Sequence, residues 1–281
     1  MVASAAAVLA GCSLFGSAFP TNERIDRAPV LPSSDAIVAS IGLQKTVHPD
    51  FGSGTWEGQR IGIPYDVVGK RAPRSRVRFE YAGESDRVRY PIPRGVRIEG
   101  GSDRHALLLD RSRCRLYELF ALRREGERWV AGSGATWDLR RPRLRPAGWT
   151  SADAAGLPIL PLLARYPEVR RGRIRHALRM TVSRSRRAYV HPARHFASSL
   201  TDPSLPRMGE RLRLKAGVDI SGFPRQARVV ARAMKRFGLI VADNGSDWFV
   251  SGAPHRGWDD DQLRALKALR CSDFEVVDGT R

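Results

Sequence analysis

The chain has only three cysteines and lacks the short motifs that mark many enzyme classes. It contains no GxSxG, no HExxH, no P-loop and no GxGxxG between a strand and a helix. These absences argue against nucleotide hydrolysis and against nicotinamide- or flavin-dependent redox chemistry. The cysteines show no CxxC spacing, which argues against a structural zinc site. We therefore expect no cofactor and no metal.

Lysine is also scarce. The sequence has 48 lysines and arginines, of which five are lysine, and its formal net charge is +19. The arginines are scattered along the chain, as a GC-rich genome produces without selection for binding, so the charge indicates a solvated basic surface. Nucleic acid is not an expected partner, although the charge alone would suit one. Outside the N-terminus no apolar run approaches the roughly 18 residues of a spanning helix.

What is present at the N-terminus is a short apolar run, "AAAVLAGCS", which resembles the lipobox of bacterial lipoproteins. The resemblance implies a signal segment over residues 1–12 and a lipid on Cys12. It thus implies export and a tether to the cell envelope, although no basic residue precedes the apolar run. Cys114 and Cys271 would then remain and would be free to pair in an oxidising compartment.

The rest of the chain divides into a polar linker and a folded body. Residues 13–35 carry three prolines, which predicts a tether, and residues 36–281 read as one globular domain. "HALLLD" and "CRLYELFAL" predict a hairpin of central strands. "RIRHALRMTV" alternates, which places His176 on the inward face and both Arg175 and Arg179 on the outward face.

The last 60 residues change character. "FPRQARVVARAMKRFG" predicts a helix, and "LIVADNGSDWFV" predicts a hairpin around Asn244-Gly245. "DDDQLRALKALR" predicts a second helix, and "DFEVV" predicts a closing strand. The sequence therefore predicts a mainly β fold, an antiparallel sandwich or jelly-roll-like, with two C-terminal helices. The alternative is a single α+β domain.

Several blocks together resemble a family of secreted bacterial proteins and lipoproteins to which we attach no activity. They are "IPYDVV", "SDRH", "SADAAGLPI", "HALRMT", "PARH", "MGERLRLKA" and "ADNGS". The resemblance covers about residues 45–277. It implies one structural unit and export, and it assigns no catalytic residue.

Acids and histidines in loops or on apolar strand faces remain as candidates for chemistry. Asp153 lies in the compact loop "TSADAAGLPILP", where it would either cap a turn or point into a cleft and pair with His176. His176 itself would otherwise be a hydrogen-bonded core residue. Glu118 either faces an apolar environment that raises its pKa or is solvated.

Three further residues complete the catalytic candidates. Asp103 and His105 come just before a predicted central strand, where polar residues form sites or cap turns. His195 lies in "YVHPARHF" near a second histidine, with no acid or thiol close in sequence to complete a metal site.

Trp149, Trp248, Arg175 and Arg179 are the candidates for substrate binding, since tryptophan beside carboxylates binds sugar rings. The sequence thus predicts an exported glycan-active protein, a polysaccharide hydrolase or lyase that uses carboxylates and histidine. The alternative is a non-catalytic module that binds glycan or a cell-wall polymer.

Overall fold

The computed structural model describes residues 7–16, 19–141 and 143–279. Within them the strands are β1 (Val8–Leu9), β2 (Cys12–Ser13), β3 (His48–Asp50), β4 (Thr55–Trp56), β5 (Gln59–Arg60), β6 (Tyr65–Val68), β7 (Val77–Phe79), β8 (Ala106–Asp110), β9 (Arg115–Phe120), β10 (Arg123–Glu125), β11 (Arg128–Ala131), β12 (Ser133–Asp138), β13 (Leu178–Val182), β14 (Arg211–Leu214), β15 (Leu239–Asn244), β16 (Phe249–Ser251) and β17 (Phe274–Val277). The α-helices are α1 (Ser34–Ile41), α2 (Tyr166–Arg170), α3 (Arg225–Arg236) and α4 (Asp260–Arg264).

A four-stranded sheet with the order β12-β9-β8-β6 forms the first half of the molecule. Its centre is the predicted hairpin, in which β8 and β9 pair antiparallel with Asp110 opposite Arg115. All five residues of β8 are buried, as expected for a strand that is apolar on both faces. A three-stranded sheet, β10-β11-β7, packs beside one face of this sheet.

A six-stranded sheet with the order β17-β14-β15-β13-β16-β3 forms the second half. β13 pairs parallel with β15, and β16 pairs parallel with β3. The predicted hairpin of β15 and β16 around Asn244-Gly245 is wrong, because β13 lies between these two strands in the sheet. The Asn-Gly sequence turns the chain across the end of β13 instead, and Gly245 N donates to Val182 O.

The mainly β fold class is confirmed, but the two main sheets are mixed and not wholly antiparallel. Both predicted C-terminal helices are present: α3 buries Val229, Val230 and Met234, and α4 continues into a 3-10 turn at Ala265–Ala268. Asp259 caps α4 by accepting from Gln262 N, as its run of aspartates suggested. α1 was not predicted.

The N-terminal region differs from the expected tether. Leu14, Phe15, Phe19 and Ile25 are all buried, so the described part of residues 13–35 packs on the folded body instead of linking to it. The apolar side chains of this segment explain the difference, since they outweigh the signal from its prolines.

A disulfide joins Cys12 to Cys114, with 5.4 Å between their Cα atoms. Cys271 is buried and has a free thiol, so the pairing of Cys114 with Cys271 that the sequence left open does not occur. A sulfur atom in a disulfide cannot also form a thioether to a lipid, so the disulfide and a lipid on Cys12 are alternative states of this residue. In the described part of the chain, no helix combines the length and the apolar character needed to cross a membrane.

Candidate functional site

A cleft of about 360 Å³ opens where the two main sheets meet. Four carboxylates contribute to its lining: Glu84, Asp103, Asp153 and Asp243. Phe120 and Ser133 come from the four-stranded sheet, whereas Asp243 ends a central strand of the six-stranded sheet. We call this space the acidic cleft. Three of the predicted site residues, Asp103, Asp153 and His195, lie in its wall.

The compact loop 150–161 fixes Asp153 in this wall. The hydroxyl of Ser151 accepts from Asp153 N at 2.9 Å and donates to Leu157 O at 2.6 Å. Gly156 closes the turn at a φ of +69°, where a Cβ would meet the carbonyl oxygen of Trp149 at 2.5 Å. Ala155 N donates to the carbonyl oxygen of Ala242 on β15, which ties the loop to the six-stranded sheet.

The carboxylate of Asp153 pairs with Arg179 and not with His176. Arg179 donates from Nε and Nη2 to the two oxygens of Asp153, at 3.0 and 2.9 Å, and from Nη2 to Asp243 at 3.0 Å. Its Nη1 donates to Ser251 Oγ at 2.8 Å. The strand alternation correctly placed Arg179 and Met180 on opposite faces of β13. Arg179 was expected to face solvent, but it is buried beneath the acidic cleft.

Asp243 holds a proton more readily than an ordinary aspartate. Burial raises its pKa, and the carboxylate of Asp153, which is hydrogen-bonded to it, raises the pKa further against the opposing effect of Arg179. Its side chain keeps 19% of its surface exposed, whereas the side chain of Asp153 is fully buried. The pair therefore presents one reachable, proton-holding carboxyl to the acidic cleft.

His105 lies directly behind this wall. Its Nδ1 donates to Glu99 Oε2 at 2.5 Å, and its Nε2 donates to Ala152 O at 3.0 Å. Burial lowers its pKa, but Glu99 outweighs burial and the net pKa is about 9. The imidazolium is fully buried, so His105 positions the loop and does not meet solvent. Asp103, by contrast, is exposed at the rim.

His195 and Glu84 also line the acidic cleft. His195 Nδ1 donates to Ala154 O at 2.8 Å, which fixes the tautomer of the neutral ring and leaves Nε2 as an acceptor. That nitrogen lies 3.9 Å from Glu84 Oε2, and both side chains are partly exposed. Glu84 also accepts from Thr150 N at 2.8 Å, so it too is held by the loop. His195 and Glu84 are thus the candidate bases in the same cleft as Asp243.

Glu118 is not in the acidic cleft. Its carboxylate is fully buried and accepts from the backbone N–H groups of Ile159 and Leu160, at 3.0 and 2.8 Å, and from Trp137 Nε1 at 3.2 Å. Burial raises its pKa to about 7 against these hydrogen bonds. Of the two alternatives, the buried carboxyl with a raised pKa is the one found, and its hydrogen bonds make Glu118 a structural brace between β9 and the loop.

His176 belongs to a second buried set of charges, which we call the core triad: Arg165, Glu168 and His176. Arg165 Nη2 lies 2.8 Å from Glu168 Oε2 and donates to His176 Nε2 at 2.9 Å. The ring also donates from Nδ1 to Ala177 O at 2.7 Å. His176 is thus a hydrogen-bonded core histidine, and its expected pairing with Asp153 is wrong.

Three of the four predicted substrate-binding residues lie outside the acidic cleft, whereas Arg179 lies beneath it. Trp248 is fully buried against Phe274, Trp149 is half-buried with Arg145 over its ring, and Arg175 is half-buried outside the acidic cleft. The exposed aromatic residue at the cleft is Tyr81, with 55% of its surface exposed.

Sequence reasoning also missed Asp243 as a site residue, because the Asn-Gly sequence after it explained the aspartate as a turn brace. Glu84 and Glu99 carried no signal, since each lies far along the chain from the loop it supports.

Among the described residues, no group of three or more histidine, cysteine, aspartate or glutamate side chains is placed to hold a metal ion. The chain matches no protein-family model, no curated protein and no solved structure. The site must therefore be interpreted from its own chemistry.

Proposed function

We propose that the protein is a polysaccharide hydrolase or lyase that acts in the acidic cleft. The observation that carries this proposal is Asp243, a partly exposed carboxyl whose raised pKa keeps a proton available beside a buried carboxylate. Cleavage of a glycosidic bond needs such an acid to protonate the departing oxygen. Tyr81 at the rim offers a flat apolar surface to a sugar ring.

The remaining roles follow from position. Asp243 donates the proton, while Arg179 and Asp153 hold it in place. His195 or Glu84, which also line the acidic cleft, accepts a proton from the water that attacks the sugar in hydrolysis. Asp103 is exposed and supplies an acceptor for sugar hydroxyls.

The charge of the acidic cleft restricts the class of polymer that it can bind. Its described lining includes four carboxylates and neither lysine nor arginine, although the chain as a whole is strongly basic. A polymer of uronic acids or sulfated sugars would meet like charge there. We therefore propose a neutral or amino-sugar polymer as the substrate class and hydrolysis as the reaction, because elimination needs the acidic C5–H that only a uronic acid supplies.

The decisive experiment replaces Asp243 with asparagine. Asp243→Asn keeps the shape and most hydrogen bonds but removes the transferable proton, so we expect a loss of at least about 100-fold in kcat. Wild type and variant are incubated with soluble β-glucan, arabinan, xylan and chitosan, and new reducing ends and unsaturated products are measured. Asp202→Asn, at an exposed acid outside the acidic cleft, is the matched control. Full activity of Asp243→Asn would overturn the assignment.

A non-catalytic glycan-binding module is the second candidate, and the exposed Tyr81 at the cleft favours it as well. The same incubations separate the two. A binding module retains polymer in affinity electrophoresis and releases no product, and Asp243→Asn then leaves its affinity within about twofold of the wild type.

We also propose that the protein is exported, as the family resemblance implies. The Cys12–Cys114 disulfide supports this, because such bonds persist in oxidising compartments. Mass spectrometry of peptides from the native source without reduction would locate both cysteines. We expect a peptide linked through Cys12 and Cys114. A lipid-modified Cys12 with a free Cys114 thiol would contradict the disulfide and restore the anchor.

A further inference from the structure

A second cavity, of about 560 Å³, lies beneath the β4–β5 hairpin. Trp56, on this hairpin, has 73% of its surface exposed, although tryptophan is mostly buried in folded proteins. We call this space the Trp56 cavity. Its volume falls within the range of small-ligand sites, which is roughly 300–1,000 Å³.

The hairpin is held rigidly at its base. The carboxylate of Asp260 accepts from Ser53 N at 2.8 Å, from Ser53 Oγ at 2.9 Å and from Gly54 N at 3.1 Å. At the tip, the backbone of Gly100 approaches so closely that a Cβ there would lie 2.6 Å from Gln59 Cβ. Trp56 is therefore presented on a fixed support, which lowers the entropic cost of binding.

The wall of the Trp56 cavity combines aromatic rings with acceptors. His48 and Phe249 stack at 4.0 Å between ring centroids and form a second flat surface. Burial and the nearby Lys267 lower the pKa of His48, so this surface is uncharged at neutral pH. Asp50 and Glu99 also line the cavity. Aromatic faces with interspersed oxygen acceptors are the groups that bind sugar rings and their hydroxyls.

The two cavities share one loop. Glu99, Gly100 and Gly101 line the Trp56 cavity, and Asp103, two residues later, lines the acidic cleft. Glu99 is bonded to His105, whose other nitrogen holds Ala152 in the wall of the acidic cleft. A chain molecule that crosses this loop would contact both spaces.

We propose that the Trp56 cavity is a second saccharide-binding subsite, which binds a sugar unit of the same polymer several units away from the acidic cleft. The proposal rests on the proposed function for the class of ligand. It adds that the protein binds an internal stretch of a polymer and not a single terminal sugar.

The test measures binding and cleavage separately with Trp56→Ala. Oligosaccharides of increasing length, prepared from soluble β-glucan, arabinan, xylan and chitosan, are titrated into the Asp243→Asn protein with and without Trp56→Ala. We expect Trp56→Ala to raise Kd about tenfold for long oligosaccharides, or about 1.4 kcal/mol, and to leave the shortest ones unchanged. Trp56→Phe should restore most of the affinity, while Leu200→Ala, at an exposed apolar residue outside both cavities, should have no effect.

Each outcome decides one proposal. Equal Kd values for Trp56→Ala and its parent at every length, or no millimolar binding of any of these sugars, would overturn the subsite. Trp56-dependent binding in a wild-type protein that releases no product would support the subsite and contradict the enzymatic proposal. Cleavage that depends on Asp243 but has the same KM in Trp56→Ala would support the enzymatic proposal and contradict the subsite.

Discussion

The molecule contains two buried networks built around an arginine, and they differ in the number of acids that share it. In the core triad Arg165 serves one carboxylate, Glu168, and also donates to His176, whose Nε2 lies 3.2 Å from that carboxylate. At the acidic cleft Arg179 serves two carboxylates, Asp153 and Asp243. The pKa of the acid is lowered in the core triad and raised at the acidic cleft, where two acids share the arginine.

Burial raises the pKa of Glu168, but Arg165 and His176 outweigh burial and hold it below its ordinary value. Burial raises the pKa of Asp243 too, and there the carboxylate of Asp153 adds to burial and outweighs the opposing charges of Arg179 and His105. The core triad thus favours the ionised form of Glu168. The acidic cleft favours the protonated form of Asp243, whose side chain solvent reaches. The difference shows that burial alone does not mark a reactive acid. The positive charge paired with the acid and the access of the acid to a cavity must be considered as well.

The largest expected effect that sharpens this comparison is on stability. Arg179→Met leaves the fully buried Asp153 without its cation, so we expect a loss of about 3–5 kcal/mol in the free energy of unfolding. Arg165→Met should cost less, about 1–3 kcal/mol, because the side chain of Glu168 keeps 10% of its surface exposed to solvent, whereas that of Asp153 is fully buried. Urea unfolding at pH 7 measures both. A larger loss in Arg165→Met would break the comparison.

Local patterns predicted the elements that depend on neighbours in sequence. The β8–β9 hairpin and helix α3 follow from alternation and from an apolar stripe, and both are present. The order of the six-stranded sheet depends on contacts between distant segments. The Asn-Gly sequence between β15 and β16 therefore gave a wrong prediction of a hairpin.

The candidate site was only partly accessible to sequence reasoning. Asp153 was selected from its rigid loop, and the loop does aim it at a cleft. Alternation also separated Arg179 from the apolar face of β13, but a period of two cannot reveal whether solvent or a second sheet covers the other face. The partners Asp243, Glu99 and Glu84 come from distant parts of the chain, and only the folded topology brings them together.

The smallest effect concerns His105, the imidazolium behind the wall of the acidic cleft. Its folded pKa of about 9 lies above the ordinary value of 6.5, so its stabilisation is fully present below pH 6.5 and is lost as pH rises through 9. The loss across this window is at most about 3 kcal/mol. We expect the free energy of unfolding of His105→Gln to fall less steeply than that of the wild type between pH 6.5 and 9.

His255→Gln is the matched control for this measurement. Burial lowers the pKa of His255, so it is neutral in both folded and unfolded states above pH 7 and should not alter the slope. Glu118 and Asp243 also have raised pKa values, which makes the wild type lose stability as the pH rises through neutrality. Only the difference between His105→Gln and wild type therefore reports on the imidazolium. Parallel curves from pH 6.5 to 9 would mean that His105 is neutral in the fold, and that Glu99 supports the loop by a hydrogen bond without charge.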